Sequence, residues 1–205
     1  MSRPISRRKA LASAFAFGGT ALALAAQVAG ERRQVPPAHW LRPPGALREP
    51  EFVGACLRCG QCVQDCPFDA LRLAGLGQPM AAATPYFVAR AAPCAMCETL
   101  PCVAACPSGA LALADIGRAR MGLARLSAPD RCYSYTGAAY CDSCLQACPL
   151  EGQAIRLEYG RTARGGSFQP RVDASRCTGC GRCEAACILE GEAAITVAAN
   201  HETRR

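Results

Sequence analysis

Sixteen of the 205 residues are cysteine, and they fall into four groups of four with none left over. The groups are Cys56, Cys59, Cys62 and Cys66; Cys94, Cys97, Cys102 and Cys106; Cys132, Cys141, Cys144 and Cys148; and Cys177, Cys180, Cys183 and Cys187. Their first members stand 38, 38 and 45 residues apart and their last members 40, 42 and 39, which marks a fourfold internal repeat. Every group ends in C-x3-C, and Pro67, Pro107 and Pro149 follow the first three. The first and fourth are full C-x2-C-x2-C-x3-C runs, the ligand pattern of bacterial iron–sulfur carriers. A short turn can aim three closely spaced thiolates at one cubane, while the fourth thiolate faces away and ligates the neighbouring cluster. Gly60 and Gly181 leave the backbone room to approach the inorganic core, and the prolines turn the chain away after the last ligand. The expected content is four [4Fe–4S] clusters held by all sixteen cysteines.

Two other chemistries use paired cysteines. A disulfide scaffold needs an even count and an oxidising compartment, but has no use for four repeats ending in C-x3-C. Zinc takes C-x2-C pairs, yet rarely strings three cysteines at two-residue gaps. Composition argues in the same direction. One Trp, six Phe and five Tyr cannot build a large aromatic core, so clusters must replace much of it. With charged residues at only 19%, a mainly disordered chain is excluded.

The formal net charge is +7, from 22 Arg, the single Lys9 and 16 acids. The arginines are scattered along the chain rather than gathered into a patch, which argues against nucleic-acid binding. Without the four cations of residues 1–30 the charge is +3. Four clusters at about −2 each, counting their thiolates, then bring it to about −5. No serine-hydrolase, metalloprotease or nucleotide-binding motif is present, and His39 and His201 are the two histidines, so an electron carrier is expected rather than a catalyst of bond chemistry.

Residues 1–9 carry Arg3, Arg7, Arg8 and Lys9 with no acid, and an alanine-rich apolar run follows from Ala10 to Gly30. These are the n- and h-regions of an export signal. Ser6-Arg7-Arg8-Lys9-Ala10-Leu11 is similar to the twin-arginine consensus, with Ala10 where phenylalanine is usual, and cleavage is expected after Ala25 or Gly30. The run is long enough to span a bilayer, so retention as an uncleaved anchor is the alternative. Clusters are built in the cytoplasm, and a pathway that exports folded, loaded proteins suits this cargo. The expected location is the periplasm, peripheral to the membrane.

The elements that must position the ligands are short. Each group is followed by an apolar stretch, at 70–73, 110–113, 154–157 and 194–197, which predicts a short strand after each ligand loop. Residues 86–90 and 119–126 are expected to carry short helices or strands. The predicted class is α+β: tandem, loop-rich dicluster domains over residues 51–200, with repeats at about 51–75, 90–115, 130–160 and 172–198. Residues 31–50 hold five prolines and read as an extended linker in which His39 and Trp40 are incidental. Two cluster pairings remain open. Sequential pairing joins group one with two and three with four. Nested pairing joins one with four and two with three, and the shared C-x2-C-G-x-C of groups one and four favours it slightly.

Several segments together resemble the NapG/MauM ferredoxin-type family: Leu41-Arg42-Pro43-Pro44-Gly45-Ala46, Cys56-Leu57-Arg58-Cys59-Gly60-Gln61-Cys62, Thr84-Pro85-Tyr86-Phe87-Val88-Ala89-Arg90, Cys106-Pro107-Ser108-Gly109-Ala110-Leu111 and Arg120-Met121-Gly122-Leu123-Ala124. The likeness runs from about Leu41 to Val197 and includes the leader. It implies tandem ferredoxin-like domains and a quinol-oxidising membrane iron–sulfur partner of the NapH or MauN type. It also implies an acceptor that is a periplasmic reductase or a cytochrome c, in nitrate reduction for the NapG branch and methylamine utilisation for the MauM branch. An accessory role in maturing a periplasmic redox enzyme is the alternative function.

Overall fold

The computed structural model describes residues 37–75, 77 and 81–199. The expected leader, with Arg7 and Arg8, lies outside the described residues, as do residues 31–36. No helix among the described residues is long and apolar enough to cross a membrane.

The first half of the chain is organised by three short antiparallel strands in the order β1-β3-β2. They are β1 (Trp40–Leu41), β2 (Arg72–Leu73) and β3 (Pro85–Val88), with Leu41 opposite Phe87 and Arg72 opposite Tyr86. An isolated bridge from Ala46 to Leu111 ties the segment after the second cysteine group to the start of the domain. Helix α1 (Glu49–Ala55) follows, with Pro50 in its first turn, where a missing N–H does no harm, and Glu49 and Glu51 at its positive end.

The expected linker over 31–50 is therefore corrected for residues 37–50. Prolines keep this segment extended, but extended backbone also serves as an edge strand, and its side chains enter the core. Leu41, Arg42 and Pro43 are buried, and Leu41 and Phe52 are both fully covered. Trp40 stacks on Tyr86 with ring centroids 3.9 Å apart, so it is a packing residue.

The second half has β4 (Leu123–Leu126) paired antiparallel with β7 (Ile195–Ala198), and a hairpin of β5 (Ile155–Thr162) and β6 (Gly165–Val172). Strands thus follow the first, third and fourth cysteine groups as expected. After the second group only Leu111 pairs, in the isolated bridge. The segments at 86–90 and 119–126 supply β3 and β4. The core mixes alanine, a few large apolar side chains and the cysteines themselves: Leu41, Phe52, Phe87, Met121, Ile155, Ile195 and Val197 are buried beside Cys62, Cys102, Cys144 and Cys183. The backbone N–H of Ala199 donates to the carbonyl of Ala38 at 2.8 Å, which joins the two ends of the described chain.

Candidate iron–sulfur centres

One turn of helix carries the third cysteine of each group. These are α2 (Gln61–Gln64) with Cys62, α3 (Pro101–Ala104) with Cys102, α5 (Ser143–Gln146) with Cys144 and α6 (Arg182–Ala185) with Cys183, all four sulfur-bearing residues buried. A helical turn separates each from the last cysteine of its group, which emerges after the helix and is only half-buried. Left-handed residues set the turns. The residue before the second cysteine has φ of 57° at Arg58, 62° at Met96 and 74° at Gly179. The residue before the ligand helix has φ of 76° at Gly60, 48° at Leu100 and 86° at Gly181. Non-glycine residues pay roughly 1–2 kcal/mol for this conformation. Three of these six positions accept that strain, so the turn is set by ligand geometry rather than by residue preference. Sequence reading found Gly60 and Gly181 but not Gly179, and missed Arg58, Met96 and Leu100, whose types give no such signal.

The third group solves a different problem, since eight residues separate Cys132 from Cys141. The insertion folds into α4 (Tyr133–Thr136), and the hydroxyl of buried Ser134 donates to the carbonyl of Cys141 at 2.7 Å. The Thr136 hydroxyl donates back to the carbonyl of Cys132 at 3.0 Å. The β5–β6 hairpin braces this helix through the Tyr135 hydroxyl, which donates to the Pro170 carbonyl at 3.1 Å.

The groups exchange their fourth cysteines sequentially. Cys56, Cys59, Cys62 and Cys106 line one cavity, here centre 1, with Phe52 and Leu111 among its apolar walls. Cys94, Cys97, Cys102 and Cys66 line centre 2, walled by Phe87 and Leu100. Cys177, Cys180, Cys183 and Cys148 line centre 4, walled by Ala124 and Ile155. Centre 3 contains Cys132, Cys141 and Cys144, and the same exchange assigns it Cys187. Nested pairing is thereby corrected. Helices α2 and α3 pack on one another, as do α5 and α6, because β1, β2, β3 and the Ala46–Leu111 bridge close the first two groups into one unit.

The thiols influence one another as these sets require. Burial pushes Cys62 up to about 11, with Cys56, Cys106 and Cys59 adding repulsion. Burial pushes Cys102 up to about 12, with help from Cys94, Cys66 and Cys62. Cys144 also rises to about 12 through burial and then Cys141 and Cys132. Cys183 is raised by burial and by Cys180, Cys177, Cys144 and Cys148. At Cys106 burial is outweighed by the N–H groups of Leu111, Ser108 and Ala110 and by the Ser108 hydroxyl, which hold it below its ordinary value. Raised this far, the free Cys62, Cys102 and Cys144 thiols stay protonated at neutral pH, and ligation by iron must release those protons.

The donor sets fit iron–sulfur clusters and not single ions. Among the described residues no three Cys, His, Asp or Glu side chains close around one metal-ion position, as tetrahedral zinc with sulfurs at about 2.3 Å demands. The four sulfurs of centres 1, 2 and 4 stand instead around the wall of a cavity, where a cubane has one iron for each.

A model of the 4Fe-4S dicluster domain matches residues 55–110, which hold groups one and two, and 139–189, which hold group four and all of group three but Cys132. The methylamine utilization ferredoxin-type protein MauM of Methylobacillus flagellatus is 46% identical over 199 residues, covering 96% of this chain and 81% of that protein. The ferredoxin-type protein NapG of Escherichia coli K12 is 52% identical over 155 residues, covering 73% of this chain and 67% of that protein. This chain belongs to the NapG/MauM ferredoxin-type family. The ferredoxin-type protein NapF of the same E. coli strain is more distant, 29% identical over 147 residues. No solved structure matches. Two dicluster domains and sixteen cysteines fit four [4Fe–4S] clusters, and an electron-transfer role fits the family.

Proposed function

We propose that the protein is a periplasmic polyferredoxin that takes electrons from a quinol-oxidising membrane iron–sulfur protein of the NapH or MauN type and delivers them to a periplasmic reductase, most directly nitrate reductase. The observation that carries this reading is the set of four thiol-lined centres inside a chain with no motif for bond chemistry. Bound [4Fe–4S] clusters supply one-electron redox capacity without proton uptake. The chain's part is to hold them: Cys56, Cys59, Cys62 and Cys106; Cys66, Cys94, Cys97 and Cys102; Cys132, Cys141, Cys144 and Cys187; Cys148, Cys177, Cys180 and Cys183. Phe52, Phe87, Leu100 and Ile155 keep water from the sulfurs, and backbone N–H groups such as those aimed at Cys106 stabilise thiolate charge. Each quinol gives up two electrons and two protons at the membrane partner, so two one-electron deliveries reach this chain and the protons do not.

Identity of 52% to the NapG protein supports the nitrate branch. Coverage of 96% of the chain by the MauM protein supports a second reading, electron transfer in methylamine utilisation. The experiment mixes anaerobically purified holoprotein with membranes carrying the NapH- or MauN-type partner and menadiol. Bleaching of the broad visible absorption that requires the membranes is expected. Failure to bleach, in protein that dithionite does reduce, overturns the carrier role, and tight binding to an apo-reductase then favours the accessory role.

A further inference from the structure

We propose that the four centres form one unbranched series in the order 1–2–4–3, joined between the two halves where the Cys94–Cys97 loop meets the Cys177–Cys180 loop, with centres 1 and 3 as its ends. The junction is a direct contact of ligand loops. The N–H of Cys94 donates to the carbonyl of Cys180 at 2.9 Å, so a residue of centre 2 is hydrogen-bonded to a residue of centre 4. Beside it the Thr178 hydroxyl meets the Met96 sulfur at 3.6 Å, and these two residues occupy the first C-x2-C gap of their respective groups.

The approach is as close as backbone allows. A Cβ on Gly179 would stand 2.2 Å from the nitrogen of Gly122, and one on Gly181 would stand 2.5 Å from the Cβ of Ala89. Only hydrogen fits at either place, so Gly181 seats the fourth group's loop on Ala89 of the first half, and Gly179 packs it against the backbone that leads into β4. Within the halves, α2 against α3 joins centre 1 to centre 2, and α5 against α6 joins centre 3 to centre 4. Among the described residues no hydrogen bond links residues 56–62 to residues 132–144.

Exposure differs most between centre 4 and centre 1. Cys177, Cys180 and Cys183 of centre 4 are buried, and Cys102 of centre 2 is buried. Cys59 of centre 1 is the exposed cysteine among the sixteen, next to Leu57 at 67% exposure. At centre 3 Tyr133 and Tyr140 are exposed. The most shielded set thus lies at the junction of the halves and the exposed cysteine at one end of the series, while centres 2 and 3 each bury one cysteine, Cys102 and Cys144.

This order rests on the carrier reading for its use but not for its test. Each passage along the series moves one electron and no proton, so one core is oxidised as its neighbour is reduced, and titanium(III) citrate serves as reductant in the experiment. Fully reduced holoprotein is examined by paramagnetic resonance, where neighbouring reduced centres broaden one another. Cys102→Ala removes centre 2 and is expected to leave one narrow, isolated signal beside a broadened pair. Cys183→Ala removes centre 4 and is expected to do the same. Cys62→Ala and Cys144→Ala remove the ends and are expected to leave three mutually broadened centres with no isolated signal. The reverse pattern, isolation by Cys62→Ala or Cys144→Ala and none by Cys102→Ala, overturns the order. Where an alanine variant does not fold, serine at the same position keeps an oxygen ligand and shifts one signal, labelling that centre. A labelled centre 2 is then expected to interact with two neighbours and a labelled centre 1 with one, and equal numbers overturn the series. A protein with the expected pattern that menadiol and membranes fail to reduce keeps the order and loses the proposed function.

Discussion

Arg90 donates a 2.8 Å hydrogen bond to the carbonyl of Cys187, across the junction between the two halves of the chain. The same guanidinium reaches the carbonyls of Glu184 at 2.7 Å and Leu189 at 2.6 Å. Glu184 lies in the last turn of α6 and Cys187 and Leu189 follow it, on the side where the helix dipole is negative. One side chain from the first half therefore sets the exit path of the last cysteine in the second.

Replacing Arg90 with alanine is expected to lower stability by about 2–3 kcal/mol, the worth of a charged donor shared among several carbonyls. Anaerobic thermal unfolding of the holoprotein measures it. The paramagnetic signal that Cys144→Ala removes should also shift, while that removed by Cys62→Ala stays. Arg90→Lys should recover less than half of the stability, because a single ammonium cannot span three carbonyls. Equal recovery by lysine would show that charge alone matters here.

Arg42 is the corresponding keystone of the first half. It is 2% exposed, pairs with Glu49 through Nε at 3.0 Å, and donates to the Thr84 hydroxyl and the Pro85 carbonyl at 2.8 Å each. Its guanidinium also lies 4.8 Å from the centre of the Phe52 ring. Arg42→Ala removes one partner of a buried pair and is expected to cost roughly 3–5 kcal/mol. The double variant Arg42→Met with Glu49→Leu should recover most of that, since it leaves no uncompensated charge. Urea titration of the loaded protein separates the two. A double variant no better than Arg42→Ala would place the loss in the Thr84 and Pro85 contacts instead.

The cofactor chemistry was legible because ligand spacing is local: three cysteines in seven residues constrain one another whatever the rest of the chain does. Strands β2, β5 and β7 were legible for the same reason, each following its ligand loop directly. Pairing was not. The likeness of Cys59-Gly60-Gln61-Cys62 to Cys180-Gly181-Arg182-Cys183 reflects a common turn, whereas the partner of each group is chosen by strand pairs and by the Ala46–Leu111 bridge, which are long-range. The proline-rich reading of residues 37–50 failed similarly. Proline signals extended backbone, and only the opposing strand β3 shows that Trp40 and Leu41 pair and are packed.

Export is open to a direct test through the two residues that resemble its signal. Arg7→Lys with Arg8→Lys is expected to leave folded, cluster-bearing protein in the cytoplasm, measured by cell fractionation against periplasmic and cytoplasmic markers. Unimpaired arrival of loaded protein in the periplasm would contradict the twin-arginine assignment.

Sequential exchange of the fourth cysteine is the feature on which the whole arrangement depends, and paramagnetic resonance of the reduced holoprotein reads it. Cys106→Ala is expected to remove the same signal as Cys62→Ala, and Cys66→Ala the same signal as Cys102→Ala, because each pair lines one cavity. If Cys106→Ala instead matches Cys102→Ala, no ligand is exchanged. If Cys187→Ala matches Cys62→Ala, the groups are nested, and the paired centres described here are wrong.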